Sequence, residues 1–416
     1  MTKLTKESKN VTKLTKESKF LLIVGILATA GMMIANTFVN VFLLRATDGD
    51  IGLIIIQNII NFIALLIAFV GGSKLLAKVS ITTLLRMGIA SIAFYFVAIL
   101  LLQDHVVIFL IPLAIFNGLG QGLYWFATNL LIAKVIKESE QGRYFGYQQT
   151  AGAIFGVLTP VISGFIITRF TDLTGYYLLF GIAFVLFALG IFMIKNIPGF
   201  TSNTKIRVYD ILKLKRNHYW DACKFFTFAS SMKDAIDIQT FMLFAYLVFA
   251  DEGIIGNLLS STAIIAVISS FWFAKIYKRS NQQPFYLATS VIMMVNYLLL
   301  AIWPTVPALI ALWIIFAIVR NWAGTIFQSV IFQLTKRAKG GYEQNDYLVA
   351  LEFPTALGRV VGMSIALLLI YLVSSDVYVY RILFVVIAIA WILEYIIIEK
   401  QVKWFRDELE NELEQK

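Results

Sequence analysis

The chain has 416 residues, of which 59% are hydrophobic and only 14% are charged. A soluble globular protein has about 45–50% apolar and about 25% charged residues, so a water-soluble fold of this length would lack the polar side chains to cover its surface. The composition excludes a soluble enzyme and indicates a chain that crosses a membrane repeatedly. One cysteine, Cys223, and two histidines leave no disulfide framework and no obvious metal site. We expect neither a metal nor a cofactor.

Twelve apolar stretches are each long enough for a transmembrane helix, which needs about 20 residues. They are continuously apolar rather than alternating, which excludes the strands of an outer-membrane barrel. The sequence therefore predicts an all-α polytopic membrane protein. The predicted spans are 20–44, 51–70, 81–102, 106–136, 144–167, 176–194, 225–250, 254–273, 284–303, 306–334, 347–373 and 377–398.

The charges of the loops predict the orientation. With the N-terminus in the cytoplasm, nearly all Lys and Arg fall in cytoplasmic loops and tails, whereas the loops on the other side carry acids such as Asp48, Asp104 and Asp172. This positive-inside pattern favours twelve helices with both termini cytoplasmic, because eleven helices would break the alternation. The net charge of +10 then reflects topology and anionic lipid head groups rather than nucleic acid.

A polar connection after the sixth span divides the chain into two sets of six helices. Short ungapped matches, such as Lys134 with Lys336 and Gly156 with Gly358, indicate that the sets are duplicated units. The predicted organisation is a basic cytoplasmic tail (1–19), an N-terminal six-helix bundle (20–195), a cytoplasmic linker (196–224), a C-terminal six-helix bundle (225–398) and an acidic cytoplasmic tail (399–416).

Two segments carry a resemblance to a known family. The loop after the second span, from Gly71 through Lys74 and Lys78, resembles the motif Gly-x-x-x-Asp-Arg-x-Gly-Arg-Arg of the major facilitator superfamily, although Leu76 stands where its acid belongs. The fifth span has small residues every four positions and Pro160. It resembles the exporter-associated Gly-Pro motif of that family, and a packing seam with a proline kink is the alternative. The resemblance implies two pseudo-symmetric bundles that rock about a central cavity.

Ionisable residues inside predicted spans are the clearest functional signal, because each costs at least about 2.5–3.5 kcal/mol at the helix centre. The seventh span contains Lys233, Asp234 and Asp237, and the i,i+4 spacing allows Lys233 to pair with Asp237 on one face. The other members of the set are Arg320 in the tenth span and Glu352 and Arg359 in the eleventh.

These six charges have two interpretations. In the structural interpretation, an ion-paired network locks the C-terminal bundle. In the functional interpretation, the charges form a site for binding and coupling. We favour the second, because Gly-rich helices would associate without these six charges. A desolvated carboxylate takes up a proton more readily, so Asp234, Asp237 and Glu352 are the predicted coupling residues. Arg keeps its charge, so the predicted anchors for an anionic solute, or standing counter-ions, are Lys233, Arg320 and Arg359.

The N-terminal bundle offers amides and aromatic side chains in place of charges. Any one of these amides could simply form an interhelical hydrogen bond, and a wall of the cavity is the alternative. The predicted solute contacts on this side are Asn36, Asn40, Gln121, Trp125 and Gln149. A cavity that is charged on one side and amide and aromatic on the other suits an organic solute with polar and apolar parts.

The sequence therefore predicts a secondary active transporter in a cell membrane, the cytoplasmic membrane of a bacterium, rather than an enzyme. We expect a monomer that moves a small organic, amphipathic or anionic solute by alternating access. The coupling ion is a proton, with sodium as the alternative, and export is favoured over import. No Gly-x-x-x-x-Gly-Lys-Ser/Thr loop is present to use ATP. A lipid or glycolipid flippase on the same fold is the alternative function.

Overall fold

The computed structural model describes residues 14–76, 78–170, 173–199, 208–214, 217–277, 282–338, 340–342, 344–373 and 376–414. The regular elements in this part of the chain are all helical. Residues 1–13 of the predicted N-terminal tail and residues 200–207 and 215–216 of the predicted linker lie outside it.

The first six long helices begin and end close to the predicted spans. Polar side chains cap two of them: Thr15 accepts from the amide of Ser18, and Asp50 accepts from the amide of Leu53. The helices are α1 (Lys16–Ala46), α2 (Ile51–Leu75), α3 (Ile81–Leu102), α4 (Leu110–Val135), α5 (Glu138–Arg169) and α6 (Thr174–Met193).

The remaining elements follow the same pattern, with two short helices between the long ones. Asn217 and Asp251 cap the two long helices that follow them. The elements are α7 (Val208–Leu212), α8 (His218–Phe249), α9 (Glu252–Ile276), α10 (Gln282–Ile302), α11 (Val306–Arg337), α12 (Gln344–Ala350), α13 (Glu352–Leu372) and α14 (Asp376–Glu414).

Ten of these helices are long and apolar enough to cross a membrane, and α4 and α8 are the long helices outside that set. The twelve predicted spans each contain a long helix, but the count of twelve membrane crossings stays a prediction. Several helix ends differ from expectation, among them the start of α5, which lies six residues before the predicted span. Helix α8 begins before the predicted span, while α1 and α14 extend into the predicted tails, α14 as far as Glu414.

Helices α1–α6 pack mainly against one another, as do α8–α11, α13 and α14, and we call these sets the first half and the second half. The main contacts between the halves are α2 with α13 and α5 with α9. Glycine permits very close packing within each half. A Cβ on Gly118 would lie 2.2 Å from the Asn61 carbonyl oxygen, and one on Gly362 would lie 2.3 Å from the Met232 carbonyl oxygen.

Because long helices alternate in direction, the bundle has two ends. We call the end where α1, α5, α8 and α13 begin the terminal face, and the end where α2, α9 and α14 begin the opposite face. The positive-inside pattern predicts that the terminal face is cytoplasmic.

Candidate functional site

A large cavity, about 1210 Å³ in volume, lies between the halves and is lined mainly by the second half. Its lining residues lie from the middle of the helices toward the terminal face. Helix α5 is the part of the first half that reaches it, through Gln149, Thr150, Ala153 and Gly156. Six of the predicted site residues line it: Gln149, Lys233, Asp234, Arg320, Glu352 and Arg359.

Lys233 is held by three neighbours at the wall of the cavity. Its ammonium is bonded to the carboxylate of Glu394, lies 3.7 Å from Asp234 Oδ1, and sits over the Trp391 ring at 3.5 Å from the centroid. Tyr286 donates to the other Glu394 oxygen at 2.8 Å. Lys233 and Glu394 are both 3% exposed, so the positive charge of Lys233 is neutralised inside the wall rather than offered to the cavity.

Lys233 does not form the pair with Asp237 that the spacing allows. Asp237 is 1% exposed and does not line the cavity; one of its oxygens accepts from the hydroxyl of Tyr297. Within the described residues its other oxygen, Oδ2, has no hydrogen-bond partner. Lys233 turns instead to a carboxylate on another helix, because the geometry between α8 and α14 provides a buried acceptor that the same-helix spacing does not reveal.

Arg320 and Arg359 are the two cations that the cavity wall leaves without a carboxylate. The guanidinium of Arg320 lies over Phe316 at 4.8 Å, and that of Arg359 lies over Phe62 of the first half at 5.3 Å, measured to the ring centroids. Among the described residues, neither has a carboxylate oxygen within 4.0 Å. Aromatic faces attract cations but leave the donors at the guanidinium edge available.

Two carboxylates also face this space. The Asp234 side chain is 41% exposed, and it lies on the same wall as its neighbour Lys233. Glu352 lines the cavity at the start of α13. It lies on the same face of that helix as Arg359, and the two opposite charges attract each other. The cavity wall therefore carries side chains of both signs, with Asp234 also in contact with Lys233.

Four predicted solute contacts of the first half do not line the cavity. Asn40 accepts a hydrogen bond from Asn58 at 3.4 Å, which is an interhelical contact between α1 and α2. Trp125 packs edge-on against Tyr124, with ring centroids 5.1 Å apart. Asn36 and Gln121 are likewise absent from the wall. In this conformation only Gln149 of the predicted amide and aromatic set is positioned to touch a solute.

Sequence reasoning missed Glu394, Tyr286, Trp391 and Tyr297. Glu394 carried a usable signal, because it interrupts the last apolar run and stands three residues after Trp391, so both lie on one helix face. It was overlooked because it falls near the end of the predicted span. The tyrosines carried no such signal, since aromatic residues are frequent throughout the chain.

At the opposite face, four side chains, two from each half, connect the halves, and we call them the opposite-face lock: Arg45, Tyr176, Tyr246 and Glu252. Arg45 Nη2 lies 2.7 Å from Glu252 Oε1, and Arg45 Nε donates to the Tyr246 hydroxyl at 2.7 Å. Tyr176 donates to the same Glu252 oxygen at 2.6 Å. The guanidinium also lies 5.8 Å and 5.6 Å from the Tyr176 and Tyr246 ring centroids. One ion pair and its hydrogen bonds thus join α1 and α6 to α8 and α9.

Comparisons with known proteins agree with this architecture. Residues 21–249 match the family model of the Major Facilitator Superfamily. A protein of Bacillus subtilis (strain 168), the uncharacterized protein YqgE, is 23% identical over 360 residues, which cover 86% of this chain and 84% of the relative.

Solved transporters share the fold at low sequence identity. A structure from work on proton dependent oligopeptide transporters has a TM-score of 0.68 at 12% identity and covers 94% of this chain and 99% of its own. The human organic anion transporter MFSD10 (TETRAN) has a TM-score of 0.65 at 10% identity, over 92% of this chain and 98% of its own. The family match spans more than half of the sequence, and the chain belongs to the Major Facilitator Superfamily of membrane transporters.

Proposed function

We propose that this secondary transporter moves an organic anion with an apolar body. The observation that carries the proposal is how the three cations around the cavity are paired with carboxylates. Lys233 is neutralised by Glu394, whereas Arg320 and Arg359 face the cavity without a carboxylate partner in the described part of the chain. Both arginines are partly buried, and a cation that is withdrawn from water is normally paired, so an anionic solute would supply the partner that the two guanidiniums lack.

Guanidinium chemistry favours particular anions. A planar fork of N–H donors binds carboxylate, sulfonate or phosphate oxygens in pairs, and it stays charged across the physiological range. The rest of the wall includes Ala266, Val267 and Phe271 of α9, which offer apolar contact. A solute with one anionic head and an aromatic or aliphatic body satisfies both surfaces.

Coupling is assigned to Asp234, Asp237 and Glu352. Asp234 and Glu352 line the cavity, where protons and solute arrive together. Asp237 lies behind the wall with one oxygen unpartnered and within the field of Arg320 and Lys233. A proton on one of these carboxylates would change the charge around the arginines and so couple solute binding to a proton gradient. Asp234→Asn is expected to abolish gradient-driven movement in proteoliposomes while leaving the protein folded.

The proposed topology is two six-helix bundles with twelve spans, both termini in the cytoplasm, and a location in the cell membrane. The cavity then opens to the cytoplasm and the opposite-face lock closes the outside. We propose export, on the resemblance of the Pro160 segment of α5 to the exporter-associated motif.

A thermal-shift screen tests the proposal. The purified protein is titrated with 1-naphthoate and naphthalene-1-sulfonate as anions, naphthalene-1-carboxamide as the neutral match and 1-naphthylmethylamine as the cation. Binding raises stability by about 2.7 kcal/mol at 100 times Kd, so only the anions should raise the melting temperature. Arg320→Gln and Arg359→Gln should each remove the shift. Lys336 is an exposed cation on the same helix as Arg320, and Lys336→Gln should keep the shift.

Equal shifts with the amide or the amine would contradict an anion site. Proteoliposome assays then separate the functions: movement of the stabilising anion under a pH gradient supports transport, while movement of a labelled lipid between leaflets without anion transport would favour the flippase. Dependence on a sodium gradient in place of a pH gradient would reassign the coupling ion.

A further inference from the structure

The hydroxyl of Ser260 in α9 is bonded into the backbone of α5, across the boundary between the halves. The Val161 amide donates to Ser260 Oγ at 3.1 Å, and that hydroxyl donates to the Val157 carbonyl oxygen at 2.6 Å. In a regular α-helix the Val161 amide would pair with the Val157 carbonyl. One side chain of the second half therefore bridges a donor and an acceptor that the first-half helix could join by itself.

The bridge lies directly beside a proline. Pro160 is inside α5, and because proline has no amide N–H, the Gly156 carbonyl four residues earlier has no donor within the helix. Val157 and Val161, which Ser260 bridges, are the next pair along the chain. In a membrane such a break is tolerated where neighbouring side chains satisfy the freed backbone groups. Ser260 is 4% exposed, so its hydroxyl acts in a dry environment where an unmade hydrogen bond is costly.

Backbone contact brings the two helices close enough for this bridge. A Cβ on Gly256 would lie 2.4 Å from the Pro160 carbonyl oxygen, and one on Gly164 would lie 2.7 Å from the Glu252 carbonyl oxygen. Neither position has room for a methyl group. The contact therefore extends from the proline to the start of α9, where Glu252 belongs to the opposite-face lock.

The bridge also marks the closed end of the cavity. On α5 the lining residues end at Gly156, one residue before Val157, and on α9 they begin at Ala263, three residues after Ser260. The bridge thus lies between the cavity and the opposite-face lock, at the level where the two halves must separate for the cavity to open at the opposite face.

Separation there would leave these polar groups with partners. If α9 withdraws, the Val161 amide and the Val157 carbonyl have each other as partners within α5, and the Ser260 hydroxyl can bond the Gly256 carbonyl four residues earlier on its own helix, as serine often does. The α5–α9 contact can therefore open in a dry environment without leaving a donor unpaired.

We infer that Ser260 is a positioning residue that stabilises the terminal-face-open state by this bridge, and that its withdrawal accompanies opening of the opposite face. The inference rests on the proposed alternating access. It assigns the α5–α9 contact two hydrogen-bonding states, one with Ser260 bonded to α5 and one in which each helix closes its own bonds, so that this contact is a switch rather than a rigid seam.

Cysteine labelling tests this without a known solute. Cys223, the single cysteine, is buried and is replaced by serine, and Thr325, an exposed residue of the cavity wall, becomes the reporter cysteine. A membrane-impermeant maleimide is added to either side of oriented vesicles, and the ratio of opposite-face to terminal-face labelling is measured. Ser260→Ala removes the bridge, so the ratio should rise about two- to tenfold, as expected for the loss of one or two hydrogen bonds in one state only.

Ser261→Ala is the matched control, because this neighbouring serine is exposed, and Ser260→Thr keeps the hydroxyl; both should retain the wild-type ratio. An unchanged ratio in Ser260→Ala, while Glu252→Gln still raises it, overturns the switch and leaves alternating access intact. Failure of Ser260→Ala to fold also overturns it, since α5 should satisfy its own backbone. Labelling from one side only in every variant would instead count against the proposed transport mechanism.

Discussion

Replacing Glu252 by glutamine tests how strongly the opposite-face lock holds the halves together. The substitution keeps the shape of the side chain but removes the charge that both Arg45 and Tyr176 contact, at 2.7 and 2.6 Å. Hydrogen bonds to charged groups contribute about 1.5–3 kcal/mol and neutral ones about 0.5–1.5 kcal/mol, so losing the charge weakens each contact by about 1 kcal/mol.

The solvent exposure of the lock reduces that figure. The Arg45 side chain is 33% exposed and that of Glu252 is 4% exposed, so water screens the ion pair from one side. We therefore expect the closed state to lose about 1–2 kcal/mol relative to the state open at the opposite face, which is a factor of about 5–30 in their ratio. The Tyr246 contact to Arg45 remains and limits the effect.

The assay is the labelling of the Thr325 reporter cysteine by impermeant maleimide from the opposite face. Its rate should rise by that factor in Glu252→Gln and similarly in Arg45→Gln, and the double variant should show little further increase, because both changes remove one interaction. Rates that multiply in the double variant, or that match the wild type in both single variants, would refute a lock built on this ion pair.

The positions of the cavity charges were the predictable part of the site. A charge within an apolar run stands out in a sequence because it is costly in lipid, and Lys233, Asp234, Arg320, Glu352 and Arg359 all line the cavity. The predicted charges lie on α8, α11 and α13, which are three of the helices that form the wall, although Asp237 lies behind it.

The partners of those charges were not predictable. Spacing along one helix predicts neighbours on that helix only, so it allowed a pair between Lys233 and Asp237. In the structure, Lys233 forms an ion pair with Glu394 of α14, and Asp237 accepts a hydrogen bond from Tyr297 of α10. Which helix faces which depends on the packing of the whole half, and a hydrophobic run contains no information about that.

The amides of the first half show a second limit. Asn40 and Gln149 have the same chemistry and both lie in apolar spans, yet Asn40 bonds another helix and Gln149 faces the cavity. A polar residue in a span indicates that its helix contacts either another helix or a cavity at that position. The rotation of the helix in the bundle decides between these two surroundings, and a sequence pattern does not give that rotation; Gln121 and Trp125 do not line the cavity in this conformation for that reason.

Two further predictions concern stability, measured as thermal unfolding in detergent. Gly118→Ala should lower the melting temperature, because the added methyl would lie 2.2 Å from the Asn61 carbonyl oxygen. Gly152→Ala should not lower it, because nothing lies within 4 Å of that position. Equal melting temperatures of the two variants would show that α2 and α4 move apart without cost. Lys233→Met should cost about 3–5 kcal/mol, because it leaves the 3% exposed Glu394 as an unpaired buried charge. Adding Glu394→Gln should restore much of that loss, since the interior then holds no ion at this point. A double variant less stable than Lys233→Met would show instead that the Glu394 carboxylate is held mainly by other groups in the wall, with the Lys233 pair contributing little.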